Sequence, residues 1–121
     1  MKAEIKSIYS TEVDNLPNYK PNKRDEFCID FRLIIGPMSE RGEESFDITV
    51  LTPKWLLSHY DVDDIIMGRH RVIVFEYNYE RLIAKINRWL EFCTGDTWEE
   101  VATKVSRIGH WEFEDYTEYK E

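Results

Sequence analysis

The sequence has few of the features that mark disulfide-stabilised, secreted or membrane proteins. Only two of its 121 residues are cysteines, Cys28 and Cys93, and each falls within an apolar pattern, so buried free thiols are expected. No apolar run in the sequence approaches the roughly 20 residues of a membrane helix. The opening stretch, MKAEIKSIYS, lacks the apolar segment of a secretory signal, which predicts a cytoplasmic protein.

Motifs of catalytic and cofactor-binding sites are also missing. The sequence contains no GxGxxG or GxxxxGK[ST] phosphate-binding loop and no GxSxG nucleophile motif. Its three histidines lie far apart in the chain: His59, His70 and His110. The segment HYDVDD, residues 59–64, lacks the glycine and the twelve-residue pattern of a calcium loop, so a solvated acidic turn is the preferred interpretation. No enzyme, metal site or cofactor is therefore predicted.

Negative charge is what the sequence has in excess, mostly in its last quarter. The net charge is −8; residues 1–89 hold 15 acidic and 13 basic side chains, whereas residues 90–121 hold nine acidic and three basic ones. Because phosphate binding needs lysine and arginine, such a surface disfavours nucleic acid and anionic membranes as partners. It attracts a basic protein and speeds the encounter with it, although acidity also serves solubility alone.

Hydropathy patterns predict a single α+β domain over residues 1–121. Alternation of apolar and polar residues predicts strands in three segments: residues 2–9, 27–35 and 45–51. The last two are expected to pair as an antiparallel hairpin. A β-branched run predicts a further strand at 71–77, and residues 10–26, with two prolines, predict a long surface loop. The expected fold is a mostly antiparallel sheet of four to five strands, covered on one face by two or three helices.

The first helix is predicted from its start signal. Thr52 is followed by Pro53, which combines a hydroxyl cap with proline at the first helical position. The segment KWLLSHY then extends the helix by one or two turns, with Trp55, Leu56 and Tyr60 expected to face inward.

Two longer helices follow. Asn78 is expected to cap the first, whose apolar residues recur at spacings of three and four over residues 79–93. The second is expected to begin at Thr97, which forms a capping box with a glutamate three residues later, or at Asp96. Gly109 is expected to end it.

The final stretch, GHWEFEDYTEYKE, combines aromatic residues with carboxylates. Disordered tails usually lack bulky aromatics, so residues 110–116 are predicted to be ordered, with Trp111 and Phe113 packed on the body. Three carboxylates are then expected to point outward: Glu112, Glu114 and Asp115. Residues 117–121 are expected to be loose.

Several stretches follow one another in a pattern that covers nearly the whole chain. GPMSERGEESFDITVLTPKWLL at residues 36–57 is followed by GRHRVIVFEYNYERL and by DTWEEVATKVSRIGHWEFEDY, which ends at residue 116. They resemble the immunity protein 8 family of bacterial polymorphic toxin systems. The resemblance implies an α+β fold without a catalytic motif. It also implies that the protein binds and neutralises a cognate toxin domain inside the producing cell. Such toxins are often nucleases, sometimes delivered by contact-dependent inhibition.

The resemblance and the charge together predict an immunity protein that meets a basic toxin with a carboxylate-rich surface. The predicted partner-binding residues form three groups: Glu112, Glu114 and Asp115 with Tyr116 as an anchor; Asp61, Asp63 and Asp64; and Glu40, Glu43 and Glu44. The alternative is a non-enzymatic interaction or scaffold subunit with a basic protein partner. A third, weaker hypothesis is an enzyme that uses His59 with Asp61 or Asp63.

Overall fold

The structure, a computed structural model, describes residues 1–114 and consists of one sheet and three helices. The strands are β1 (Ala3–Tyr9), β2 (Cys28–Pro37), β3 (Glu44–Leu51), β4 (Arg71–Ile73) and β5 (His110–Trp111). The helices are α1 (Pro53–His59), α2 (Tyr79–Leu90) and α3 (Trp98–Val105). β1, β2 and β3 pair antiparallel in sequence order, β4 pairs parallel with β3, and β5 pairs antiparallel with β3. The predicted α+β fold with a mostly antiparallel sheet is confirmed.

The core lies between one face of the sheet and helices α2 and α3. Because side chains alternate along a strand, β2 and β3 each send every second residue to this face. Phe31, Leu33 and Phe46 are among the fully buried side chains there. Ile86 of α2 and Val101 of α3 join the same apolar cluster. Burial of such side chains contributes about 1.5–3 kcal/mol each.

Each helix begins where the sequence predicts it. The Thr52 hydroxyl accepts from the Trp55 amide, the Asn78 side chain accepts from the Arg81 amide, and the Thr97 hydroxyl accepts from the Glu100 amide. These caps satisfy amides that have no partner within the helix.

The inward orientation expected for α1 is wrong. Trp55 and Leu56 are only half-buried, and Tyr60 is exposed. The reason is local: the Trp55 ring stacks on His59 with a centroid distance of 4.3 Å and meets the edge of Tyr60 at 5.8 Å. The aromatic residues of α1 therefore pack largely on one another.

The strand predicted at 71–77 is shorter than expected. Only Arg71–Ile73 pair with β3, and the Val74 amide makes the last bond, to the Leu51 carbonyl. β3 ends at Leu51 because helix α1 begins two residues later, so the segment after Val74 has no strand to pair with.

β5 places the end of the described chain beside β3. Its register pairs Trp111 with Phe46 and His110 with Asp47. Gly109 makes this approach possible, since a Cβ atom there would lie 3.0 Å from the Phe46 Cβ.

No helix within residues 1–114 is long and apolar enough to cross a membrane.

Candidate partner-binding surface

Within residues 1–114, the three most exposed apolar side chains lie in one segment, residues 57–67, which we call the exposed loop. It runs from the last turns of α1 towards β4. Val62 is 96% and Ile65 98% exposed, and Leu57 and Met67 are also largely exposed. A monomer gains nothing from presenting four such side chains within eleven residues to water, and exposed apolar surface is typical of interaction sites.

Three carboxylates stand between these apolar residues and are held in a tight turn. The Asp64 amide donates to the Asp61 carbonyl at 3.1 Å, and the Asp61 amide donates to the Asp64 Oδ2 at 2.8 Å. The Asp63 amide donates to the Asp61 Oδ1 at 2.8 Å. Asp61, Asp63 and Asp64 pair with no lysine or arginine within the described chain, residues 1–114. Their charge is therefore available to a partner.

Carboxylates on the open face of the sheet are engaged within the molecule. Arg32 donates to both oxygens of Asp47, at 2.8 and 2.9 Å, and the Thr49 hydroxyl donates to Asp30 at 2.8 Å. Burial and the neighbouring Asp30 carboxylate raise the pKa of Glu12. These acidic groups offer less free charge than the exposed loop.

The Asp25 carboxylate is also engaged within the molecule, by an ion pair with Lys54 at the start of α1. The Lys54 ammonium donates to Asp25 at 2.5 Å, and this contact lowers the pKa of the Asp25 carboxyl.

A family model described as immunity protein 8 matches residues 3–116 of this sequence. The chain belongs to the immunity protein 8 family. Members of this family are immunity proteins of toxin systems, which implies a toxin partner and suggests a role without catalysis. Neither curated proteins nor solved structures gave a match to this chain.

The acidic tail that the sequence predicts for this immunity protein 8 chain is only partly free. Glu114 does not point outward: its side chain is 14% exposed and contacts Arg69 and the His110 Nδ1, the latter at 2.9 Å. Glu112 is exposed, but its Oε1 accepts from the Ser45 amide at 2.8 Å, and its amide donates to the Ser45 carbonyl. Asp115 and Tyr116 lie outside the described residues, as does the segment 117–121.

Trp111 holds the tail to the body as expected, whereas Phe113, expected to do the same, is exposed. Trp111 is half-buried and stacks on Phe46 at 6.2 Å between ring centroids. Phe113 meets the edge of Trp111 at 5.9 Å and stays 41% exposed.

The third acidic group divides between surface and structure. Glu40 and Glu43 are exposed, whereas Glu44 is half-buried at the start of β3. The Glu44 carboxylate accepts from the Trp98 Nε1 at 2.7 Å and also from the Trp111 Nε1. Glu44 therefore ties α3 and β5 to the sheet.

Sequence reasoning missed the apolar members of the exposed loop. The signal was present in DVDDIIMG, where isoleucines and a methionine follow aspartates without a helix or strand period. It also missed Ile73 and Phe75, which are exposed and line a groove of about 680 Å³ beside α2. That groove carries Arg81, Lys85 and Arg88 against a single acid, Glu76, so its net positive charge does not suit a basic partner.

The structure places the histidines differently from the hypothesis that pairs His59 with Asp61 or Asp63. The His59 Nδ1 lies 3.0 Å from the Trp55 carbonyl and 2.9 Å from the Ser58 hydroxyl, so it is engaged within its own helix. Within residues 1–114, the structure instead brings together His70, His110 and Glu114.

Proposed function

We propose that this immunity protein 8 chain binds and neutralises a basic toxin domain, a nuclease, by docking the exposed loop against it. The observation that carries the proposal is the combination, in one segment, of Val62 and Ile65, both almost fully exposed, with three aspartates that pair with no lysine or arginine within residues 1–114. The binding is expected to take place inside the producing cell.

The two kinds of side chain would have different roles. A nuclease binds polyanions and therefore carries a basic cleft, which the three aspartates would attract. Charged rim contacts mainly set the rate of encounter, whereas apolar anchors that exclude water mainly set the residence time. Asp115 and Tyr116 remain proposed contributors, while Glu44, Glu112 and Glu114 already serve the fold.

The first experiment tests the anchors. The substitutions Val62→Ser and Ile65→Ser, made together, remove two side chains that contact little in the free protein, so the fold should keep its melting temperature. We expect the dissociation rate from the toxin domain encoded immediately upstream to rise by about tenfold or more, because hot-spot truncations cost about 2 kcal/mol or more. Stopped-flow or surface-based kinetics would measure this rate.

A matched control is Phe92→Ser. Phe92 is also largely exposed, but it lies beside Ala3 of β1, at the opposite edge of the sheet from β4. This variant should bind as the wild type does. If the loop variant bound with an unchanged dissociation rate and still protected cells, the loop would not be the anchor. If the wild type bound no upstream toxin at all, the proposed function itself would be wrong.

A further inference from the structure

We propose that His70, His110 and Glu114 form a binding site for a divalent transition metal ion of the zinc class. One ligand atom from each residue lies within 4.8 Å of the others. Two imidazoles and one carboxylate make up a ligand set typical of zinc sites that leave a fourth position open. Calcium and magnesium prefer oxygen ligands only, so the set favours a borderline metal.

The sheet brings these distant residues together. β4 and β5 lie along the same edge of β3, where Arg71 pairs with Thr49 and His110 pairs with Asp47. Thr49 and Asp47 are two residues apart on β3 and therefore lie on the same face of the sheet. The starts of β4 and β5, which pair with them, are thus neighbours. The His70 and His110 rings are 5.6 Å apart between centroids.

The backbone at His70 is held in an unusual conformation. Its φ is +63°, in the left-handed region that few residues other than glycine adopt. The Thr49 amide fixes this turn by donating to the His70 carbonyl at 3.0 Å. Such strain persists only where the surroundings enforce it, and it clusters at ligand sites.

The His70 ring is oriented as metal-binding imidazoles are. Its Nε2 lies 2.7 Å from the Ser106 carbonyl. Because a carbonyl oxygen only accepts, the Nε2 donates to it, and in the neutral ring the Nδ1 then offers its lone pair. A backbone carbonyl that holds the second ring nitrogen in this way is the usual outer partner of a ligating histidine.

The Glu114 carboxylate has two oxygens, so it can contact Arg69 through one and a metal ion through the other. One Glu114 oxygen, Oε1, contacts Arg69, whereas Oε2 faces the His110 Nδ1 at 2.9 Å. Ligands around a tetrahedral zinc ion lie about 3.3 Å apart. The widest separation must therefore close by roughly 1.5 Å. The ion must also replace the hydrogen bond between the His110 Nδ1 and the Glu114 Oε2 and displace its proton. Both histidines line a pocket that also carries Arg69 and Arg71, which oppose the ion's charge. Asp47 on the wall of this pocket does not offset them, because Arg32 already holds both of its oxygens.

The test uses the full chain with zinc chloride and cobalt chloride as probes. Calorimetry should show one zinc ion per chain, and cobalt should give the visible absorption of a low-coordinate site. Zinc should also raise the melting temperature. His110→Gln and Glu114→Gln should each lower the zinc affinity by more than about tenfold, since even outer partners of zinc ligands contribute that much. His59→Gln removes the histidine outside the cluster and should leave binding unchanged.

Each contrary result has a clear meaning. If the wild type bound no zinc, or if both His110→Gln and Glu114→Gln bound it as the wild type does, the site would not exist. If only His59→Gln lost binding, the ion would belong to residues 59–64 instead. His70→Gln also loses the bond to Ser106, so melting curves recorded without metal must confirm that this variant folds. None of these measurements involves a toxin, so they stand apart from the proposed function.

Discussion

At the scale of single residues, the Tyr77 hydroxyl secures the long loop of residues 10–26. It donates to the carbonyl of buried Leu16, and its ring meets the edges of Tyr19 and Phe27 at 5.1 and 5.4 Å. The same carbonyl also accepts from the Tyr19 amide at 3.3 Å. Tyr77→Phe would therefore remove one of its two hydrogen bonds and should lower the free energy of unfolding by about 0.5–1.5 kcal/mol. Urea unfolding would measure this. Tyr79→Phe is the control, since the Tyr79 hydroxyl has no hydrogen-bond partner within residues 1–114.

The same residue should make stability depend on alkaline pH. Burial raises the pKa of Tyr77 to about 12, whereas an unfolded tyrosine has a pKa of about 10. The folded state therefore keeps the proton when the unfolded state has lost it. Stability from this group is complete below pH 10 and declines as the pH rises from about 10 to 12. The difference in free energy of unfolding between the wild type and Tyr77→Phe should therefore narrow as the pH rises from about 10 to 12. A difference that stayed constant would contradict the role assigned to the Tyr77 hydroxyl.

At the scale of elements, local sequence signals located the helix starts well but the sheet only in part. The ends of α2 at Leu90 and of α3 at Val105 each come about three residues earlier than the sequence predicts. The caps at Thr52, Asn78 and Thr97 act on the three residues that follow, so each start is readable from sequence. The β2–β3 hairpin follows from alternation and short separation. The lengths of β4 and β5 depend on where β3 ends and on which neighbours it has, and a single strand's sequence does not contain that information.

Glu44 controls how two elements meet the sheet. Its two oxygens accept from the indole nitrogens of Trp98 in α3 and Trp111 in β5. Glu44→Gln turns one acceptor into a donor that faces an indole N–H, so it should lower the free energy of unfolding by about 1–2 kcal/mol. Hydrogen exchange of the Glu112 amide, which bonds to Ser45, should also become faster.

The neighbouring substitution Glu43→Gln removes an equal charge from an exposed position and should change stability by less than about 0.5 kcal/mol. If both variants lost the same stability, the effect would come from charge near the hairpin. The hydrogen bonds of Glu44 to the two tryptophans would then not account for the loss of stability.

At the scale of the whole molecule, composition indicated an excess of negative charge but not which carboxylates are unpaired in the fold. Glu114 was expected to face solvent because it alternates with Phe113, yet Arg69, 45 residues earlier, reaches it. His70 and His110 come together through β3 in the same non-local way. The aspartates of the exposed loop remained unpaired within residues 1–114 because their partners in the turn are backbone amides.

This difference between total and local charge leads to a test with two triple variants. Asp61→Asn, Asp63→Asn and Asp64→Asn remove three charges and keep the acceptor oxygens of the turn. Asp14→Asn, Glu80→Gln and Glu99→Gln remove three charges from exposed positions elsewhere. Both change the net charge from −8 to −5.

If the exposed loop meets the toxin, its triple variant should associate about tenfold more slowly at low salt, and the control by a factor of about two. The difference should vanish near 1 M salt, where the screening length falls to about 3 Å. Dissociation rates should change little in either variant, because they depend mainly on the apolar anchors. Equal slowing in both variants would mean that overall charge steers the encounter, and the loop would lose its assignment as the electrostatic contact.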